Sequence, residues 1–391
     1  MIFLSLLLLA QAGTTPAPQK DVLSQTLEEQ SAELVTVTAP SLKATGDALE
    51  HCLARACPPQ EDIAASLAHA ENLVIAGELQ DARSVLLKAR GRNSRHAAAL
   101  PVPVSTLHAF NADVASLLGL PDPARIGTID SVSALKKGLP ADDPRIAAQR
   151  LRVADVFLRE GRVATAVRMY DAVAERAEEA GWAEIQGMAM FRSLMVYATL
   201  AQHNSGYKGQ ARRRYAALRG TTQPVLQPTR DATYLLEARL RLLNDKNSNV
   251  DAVLKKMRGI RTVEPMLVVE PTIDMRKLLP DTVTPSIAQS QWIDVGYRIT
   301  PEGKVADVEM RQGPKARGPW VDAVRRAIEN RRYLPLAVPN DAAGLWRRER
   351  IMIVVDAAQA TGSHIPDAAG PPKLRRIDLT RGPAPASAAS S

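Results

Sequence analysis

The C-terminal part of the chain contains the run Trp292-Ile-Asp-Val-Gly-Tyr-Arg-Ile-Thr300, then Pro301-Glu-Gly-Lys304, then Val305-Ala-Asp-Val-Glu-Met310. The first part of this run largely alternates apolar and polar residues, which is typical of a strand with one buried face. Pro-Glu-Gly favours a turn, because proline sets φ and glycine accepts a positive φ. The valines that follow begin a second strand, so the run predicts a β-hairpin.

The residues after this hairpin change from a period of two to a period of three or four. The apolar positions that share one helical face are Trp320, Val321, Val324, Ala327 and Ile328. The chain then passes through Tyr333-Leu-Pro335 and reaches Arg347-Arg-Glu-Arg-Ile-Met-Ile-Val-Val-Asp356, a run that favours a strand. The predicted order is therefore strand, strand, helix, strand.

This order resembles the C-terminal domain of TonB, the periplasmic energy transducer of Gram-negative bacteria. The family pattern is an amphipathic strand, a Pro/Asp-Gly-x-Val turn, a Val-x-x-Val strand, a helix entered by an aromatic residue, an aromatic-x-Pro step and a last strand. The matching segments are Val295 to Ile299, Pro301 to Val305, Val305 to Met310, Trp320 to Arg331, Tyr333 to Pro335 and Arg350 to Val355. An unrelated small α+β domain is the alternative.

The resemblance implies a binding site on the last strand. In the TonB family, this domain adds a strand from an outer-membrane receptor to an exposed sheet edge. The candidate edge strand consists of Arg350, Ile351, Met352, Ile353 and Val354. If another strand covers this edge, these residues are core residues instead. TonB also holds its motor partners through an N-terminal transmembrane helix, and no remaining segment here suits that role, so we expect a binding module and not a working transducer.

The middle of the chain, from about Asp47 to Ile260, is helical and repeats itself. Two copies share identical offsets: Ala70, Leu73, Gly77, Ala82, Leu86 and Ala89 recur as Ala154, Phe157, Gly161, Ala166, Tyr170 and Val173. This spacing suits a pair of antiparallel helices, with small residues at the crossing and glycine at the turn. A weaker third copy has Gly206, Ala211, Tyr215 and Leu218, and residues 234–257 would form a fourth pair.

These offsets resemble the tetratricopeptide repeat. Because the copies are not contiguous and Arg95 to Pro140 reads as irregular, we expect a degenerate α-solenoid. The predicted fold is a multidomain α+β chain, with this solenoid followed by a small ββαβ domain. The predicted division is a signal peptide at 1–12, an extended or partly helical mature N-terminus at 13–46, the solenoid at 47–262, a Pro-rich linker at 263–286, the TonB-like domain at 287–358 and a disordered tail at 359–391.

The N-terminus begins with Met1-Ile-Phe-Leu-Ser-Leu-Leu-Leu-Leu9 and continues to Ala10-Gln-Ala12. A short apolar run before Ala-x-Ala is typical of a secretory signal peptide, although a basic n-region is missing. The run is shorter than the roughly 20 apolar residues that span a bilayer. We expect export to the periplasm with cleavage after Ala12, and no integral membrane span. A buried N-terminal strand is the alternative.

The only cysteines are Cys52 and Cys57. In a regular helix this spacing is too wide for a bond, but Pro58 moves Cys57 out of helical geometry. We therefore expect a structural disulfide in an oxidising periplasm. A metal site with His51 would have too few ligands at a recognised spacing.

Sequence motifs for catalysis are lacking. None of the six histidines forms His-Glu-x-x-His, and neither a Gly-x-Ser-x-Gly elbow nor a phosphate-binding loop occurs. The Ser-x-x-Lys match at Ser205 to Lys208 is interpreted as a loop between repeat helices. The net charge of +8 is spread through most of the chain, and Arg212-Arg-Arg-Tyr215 is interpreted as a solvated helix face. We expect no enzyme activity, no metal, no cofactor and no nucleic-acid binding.

Two functional hypotheses follow. The first is a periplasmic adaptor, related to TonB-dependent transport, whose C-terminal domain pairs by strand addition with segments of outer-membrane receptors. The alternative is a periplasmic scaffold whose helical repeats bind proteins and whose C-terminal domain only caps the solenoid or forms a homodimer.

Overall fold

The computed structural model describes residues 41–244, 261–279, 288, 291–312, 318–339, 342–358, 367–368 and 371–380. By its internal contacts the chain divides into Pro40–Gly382 and a second unit made of Met1–Ala39 and Pro383–Ser391. The predicted signal peptide, most of the predicted mature N-terminus and the second half of the predicted fourth helix pair lie outside the described residues. All structural statements below concern the first unit.

Ten helices make up the described part of the helical region, here called the helical stack. They are α1 (Leu42–Ala54), α2 (Pro59–Ala76), α3 (Leu79–Asn93), α4 (Pro101–Leu117), α5 (Pro121–Gly138), α6 (Pro144–Arg159), α7 (Val163–Glu179), α8 (Ala183–His203), α9 (Lys208–Arg219) and α10 (Gln227–Asn244). Each helix packs on the next through a short connection. The region is a stack of helix hairpins, as the repeat predicts.

The repeat positions lie at the helix crossings. Ala70 and Ala82 are completely buried between α2 and α3, and Ala154 and Ala166 are completely buried between α6 and α7. The hairpin turns contain Gly77 (φ +90°) and Gly161 (φ +77°) in the left-handed region that glycine adopts without strain. The predicted hairpin arrangement is confirmed.

The expectation that Arg95 to Pro140 is irregular is wrong. This segment forms the regular hairpin α4–α5, and its turn contains Gly119 at φ +73°. Ala112 and Ala124 stand at the same offsets from Gly119 as the alanines of the other copies. The many prolines concealed this copy, yet Pro101 and Pro121 occupy the first positions of α4 and α5. A proline is tolerated there because the first N–H groups of a helix have no helical acceptor.

The described C-terminal residues, 261–380, form the sheet domain. Its elements are β1 (Leu267–Val269), β2 (Trp292–Ile299), β3 (Val305–Gln312), α11 (Pro319–Glu329), β4 (Arg332–Tyr333), β5 (Leu345–Val354), β6 (Ala357–Ala358), β7 (Asp367–Ala368) and β8 (Lys373–Asp378). The main sheet is antiparallel in the order β3-β2-β5-β8. Helix α11 covers one face through Trp320, Val324 and Ile328. The predicted order strand, strand, helix, strand is present at its centre.

The segment predicted as a Pro-rich linker, 263–286, contributes one strand. Leu267 pairs with Tyr333 and Val269 with Arg332, so β1 and β4 form a small antiparallel sheet. Val268 and Leu334 also pack against Leu235 and Ala238 of α10. This segment therefore connects the sheet domain to the far end of the helical stack.

The prediction of a disordered tail at 359–391 is wrong for the part that the structure describes. Strand β8 pairs with β5 along its length, from Lys373 opposite Val354 to Asp378 opposite Glu349. The tail looks too polar for a core, but Leu374 packs on the α11 side and Ile377 on the helical stack. Two charged residues of this strand find carboxylates, since Lys373 pairs with Asp356 and Arg376 with Glu270.

Candidate binding surfaces

The predicted edge strand is an interior strand. Strand β5 lies between β2 and β8, so the prediction that its edge is exposed is wrong. The five residues of the candidate site, Arg350, Ile351, Met352, Ile353 and Val354, are all at most 4% exposed. Ile351 and Ile353 face the core under α11, whereas Met352 and Val354 join the core formed by α2, α3 and α4. The structure thus matches the alternative interpretation, in which these are core residues.

The second face of the sheet lies against the helical stack. Trp292 and Ile377 pack with Met352 and Val354 on the apolar core of the first hairpins. The backbone of the α4–α5 turn contacts the chain just after β5, where the N–H of Ala357, the first residue of β6, donates to the Gly119 carbonyl oxygen over 2.7 Å. A Cβ atom at position 119 would overlap the carbonyl oxygen of Val355. The absence of a side chain at Gly119 is what lets the two regions approach.

Arg350 joins the two regions through its guanidinium group. Its Nε and Nη2 atoms donate to the two carboxylate oxygens of Asp294 at 2.7 and 3.0 Å, and Nη1 donates to the carbonyl oxygen of Val74 at 3.2 Å. The group also lies 3.8 Å above the ring of Trp292. Val74 is in the last turn of α2, where its carbonyl oxygen also accepts from the Gly77 N–H and where the helix dipole favours a cation. A residue predicted to receive a partner strand instead forms an internal contact.

A second buried ionic cluster lies on the α11 side of the sheet. Arg331 donates to Glu349 at 2.9 Å, to Glu270 at 2.7 Å and to the Tyr297 hydroxyl at 3.0 Å. Arg376 of β8 approaches Glu270 at 3.2 Å. Burial raises the pKa of the Tyr297 hydroxyl well above its usual value, and the negative charge of Glu349 adds to the shift. The cluster connects β2, β5, β8 and the residue after β1.

The predicted cysteine pair is bonded in the structure. The Cα atoms of Cys52 and Cys57 are 5.1 Å apart. Helix α1 ends at Ala54, and Ala56 has a positive φ of 50°, which turns the chain back towards Cys52. Among the described residues, no group of three or more His, Cys, Asp or Glu side chains is placed to hold a metal ion.

Sequence reasoning missed a segregation of charge in the last part of the helical stack. From Ile185 to Arg230 the chain has no acidic residue, and its basic residues are Arg192, Lys208, Arg212, Arg213, Arg214, Arg219 and Arg230. This segment therefore carries +7, whereas the whole chain, with 50 basic and 42 acidic residues, carries +8. Counting charge by segment would have found it.

Helices α8 to α10 and their connections hold four of the chain's seven tyrosines, and arginines stack on three of these rings. The Arg214 guanidinium carbon is 4.2 Å from the Tyr197 ring centre, and that of Arg219 is 4.8 Å from Tyr215 and 4.1 Å from Tyr234. Carboxylates hold both arginines in place: Arg214 donates to Asp171 and Arg219 to Glu237, each over 2.8 Å. Burial raises the pKa of Tyr215 to about 12, and the Glu237 charge contributes.

The remaining side chains of this region form an exposed surface, here called the arginine–tyrosine surface and defined by Tyr207, Lys208, Arg212, Arg213, Val225 and Tyr234. Its three basic residues are exposed and form no ion pair with the described residues. Its apolar members are also open, since Tyr207 is 37%, Val225 44% and Tyr234 46% exposed. The interpretation of Arg212 to Tyr215 as a solvated face therefore describes the first two residues only, because Arg214 and Tyr215 have the ring and carboxylate contacts given above.

No protein-family model matches the sequence, and no curated protein does. Two crystal structures of tetratricopeptide-like repeats from a putative kinesin light chain of Podosopora anserina are similar to the chain. The form with a glutamine-to-methionine substitution is 16% identical and has a TM-score of 0.40, with 51% of this chain and 94% of that chain covered. The other is 16% identical with a TM-score of 0.39, covering 52% and 95%. Because these values are low, the description as helix hairpins rests on the packing given above.

None of the described helices combines the length and the apolar character that crossing a bilayer requires.

Proposed function

We propose that the protein is a scaffold that binds protein partners through its helical stack, and that the sheet domain is a cap on that stack. The observation that carries this proposal is the position of β5, which has a strand on each side and the helical stack on one face. Stacks of helix hairpins present long surfaces that typically bind other proteins. The sheet domain packs on this stack at the first hairpins and again at α10.

TonB-like strand addition receives less support. A receptor segment could pair with β5 only after β8 leaves the sheet, which would expose Leu374 and Ile377 and leave Glu349 and Glu270 without Arg376. The order strand, strand, helix, strand is consistent with the TonB resemblance, but strand addition needs an edge with free N–H and C=O groups. We therefore prefer the scaffold to the adaptor or transport hypothesis.

The structure also favours a role for the sheet domain as a cap and not as a dimerisation module. Helix α11 covers one face of the main sheet and the helical stack covers the other, which favours a cap over a homodimer formed through a sheet face. A periplasmic location without enzyme activity remains part of the proposal. The disulfide between Cys52 and Cys57 supports it, because such bonds persist in oxidising compartments.

The experiment is site-specific photo-crosslinking in cells that produce the protein. A benzophenone amino acid replaces Ile126 or Tyr234 on the helical stack and Glu309 or Trp346 on the sheet domain, all exposed positions. We expect the same partner protein to crosslink from at least one stack position and from neither sheet position. A partner that crosslinks only from the sheet positions would overturn the proposal. Deletion of the sheet domain is a poorer test, because Met352 and Val354 complete the core of the first hairpins.

A further inference from the structure

We infer that the arginine–tyrosine surface is the docking site for an acidic segment of a protein partner that also carries apolar side chains. This inference rests on the proposed scaffold function and names the chemistry of what the scaffold binds. Two features of the surface support it, an excess of positive charge and exposed apolar groups beside that charge. A third observation, arginines stacked on the rings of Tyr197, Tyr215 and Tyr234, disfavours nucleic acid as the occupant.

The positive charge has no counterpart inside the described structure. Lys208 and Arg212 stand four residues apart on α9, a spacing at which like charges repel and destabilise a helix. Two carboxylates on neighbouring helices, Asp171 of α7 and Glu237 of α10, already pair with Arg214 and Arg219. The described residues offer no further ion pair to Lys208, Arg212 and Arg213, and we assign the negative group that relieves this repulsion to a partner.

The apolar groups define the rest of the partner segment. Tyr207 precedes α9 directly, Val225 lies in the connection to α10, and Tyr234 stacks on Arg219. Tyrosine and arginine are enriched among the residues that dominate binding energy at protein interfaces, because they bury a large area and also donate hydrogen bonds. A partner segment with acidic residues beside apolar ones matches both the charge and these open side chains.

Nucleic acid fits the surface less well. Single-stranded nucleic acids bind through bases stacked on open aromatic faces and through a long basic groove. Here Arg214 covers Tyr197, and Arg219 lies against Tyr215 and Tyr234. The three basic residues without an ion pair to the described residues, Lys208, Arg212 and Arg213, lie on one short helix. A membrane surface fits less well too, because the apolar members lie on three different segments and not on one apolar helix face.

The test measures binding of the full-length protein to a fluorescein-labelled peptide of glutamate and leucine residues by fluorescence anisotropy. The comparison probes are a peptide with lysine in place of glutamate, labelled oligothymidylate and phosphatidylglycerol vesicles. The test variant is Arg212→Glu/Arg213→Glu. The matched control is Lys136→Glu/Lys137→Glu, which makes the same charge change at two exposed residues of α5. Circular dichroism establishes that each variant folds.

We expect the acidic peptide to bind in preference to the other probes, and to bind more weakly as salt is added. The Arg212→Glu/Arg213→Glu variant should bind it about tenfold or more weakly, since two attractive charges become repulsive, while the control stays near wild type. Three results would each overturn the inference: no binding, equal weakening in both variants, or tighter binding to oligothymidylate or vesicles. If the peptide fails to bind while photo-crosslinking still maps a partner to Ile126, the scaffold function stands and only this docking site is wrong.

Discussion

In the helical stack, buried carboxylates find their partners on the next helix or the one after it, as Asp62 does on α3 and Asp155 on α7 and α8, whereas in the sheet domain partners also come from distant parts of the chain. Asp62 of α2 accepts from Arg92 and Asn93 of α3 at 2.8 and 2.7 Å. Burial opposes ionisation of Asp62, but these hydrogen bonds outweigh it and lower its pKa. Arg350, by contrast, donates to Val74, which is 276 residues away. The stack can therefore form hairpin by hairpin, while the sheet domain depends on the whole chain.

The largest expected effect is loss of Glu349 from the sheet domain. Glu349→Ala leaves Arg331, only 2% exposed, without its main buried carboxylate and removes the carboxylate to which the Tyr297 hydroxyl donates. Removing one partner of a buried pair costs about 3–5 kcal/mol. We expect that decrease in the free energy of unfolding, measured by urea denaturation. The control is Lys43→Ala, which removes an exposed ion pair with Asp47 in the stack and should change little. Equal effects would contradict the contrast between the two regions.

A smaller effect is expected where the two regions touch. Gly119→Ala and Gly161→Ala place a side chain at nearly the same positive φ, which costs about 1–2 kcal/mol in each case. At Gly161 the added Cβ meets open space, whereas at Gly119 it overlaps the Val355 carbonyl. We expect Gly119→Ala to be less stable than Gly161→Ala by a further ~1–3 kcal/mol, because the contact must shift. Thermal unfolding of the two variants measures this difference, and equal melting temperatures would show that the sheet domain does not sit on this turn.

A pH effect of comparable magnitude is expected in the helical stack. Burial lowers the pKa of His108 in α4 to about 4, the positive charges of Arg90 and Lys137 add to the shift, and Asp130 opposes it. The unfolded chain binds this proton near pH 6.5, so stability is complete above that pH and falls as pH decreases towards 4. The loss approaches about 3 kcal/mol. His108→Gln should remove this part of the pH dependence, measured by urea denaturation between these pH values. If the stability of the variant depends on pH as much as that of wild type, the pH dependence does not come from His108.

The smallest effect is expected at the arginine–tyrosine surface. Arg212→Glu/Arg213→Glu should change the free energy of unfolding by no more than about 0.5 kcal/mol, because neither side chain has a partner within the described residues. A glutamate four residues after Lys208 would even favour the helix slightly, because it replaces a like-charge pair with an opposite-charge pair. A large loss of stability in urea denaturation would mean that these arginines serve the fold and not a partner.

The same contrast explains what the sequence could predict. Ala70, Gly77 and Ala82 predict a hairpin because the contacts they form are local in sequence. The sequence did not predict the hairpin α4–α5, because a proline at the first position of a helix cannot be distinguished by its residue type from a proline that ends one. The pairing of β8 with β5 could not be predicted, because the sequence from Lys373 to Asp378 is polar and resembles a disordered tail. Its partners, Asp356, Glu270 and the helical stack, are known only from the folded structure. The arginine–tyrosine surface was within reach of a charge count, but its ring stacking depends on packing between α8, α9 and α10.

The most direct test of the account is hydrogen exchange at single-residue resolution along β5. The Ile353 N–H donates to Gln291 on the β2 side, and Arg348 hydrogen-bonds with Leu379 and Thr380 on the β8 side. Because neighbours alternate along an antiparallel strand, the amides of Arg350 and Met352 face β8, and those of Ile351 and Ile353 face β2. Because β5 has a strand on each side, we expect equally slow exchange at all four amides. Fast exchange at Arg350 and Met352 alone would show an open strand edge, and would return partner binding to the sheet domain.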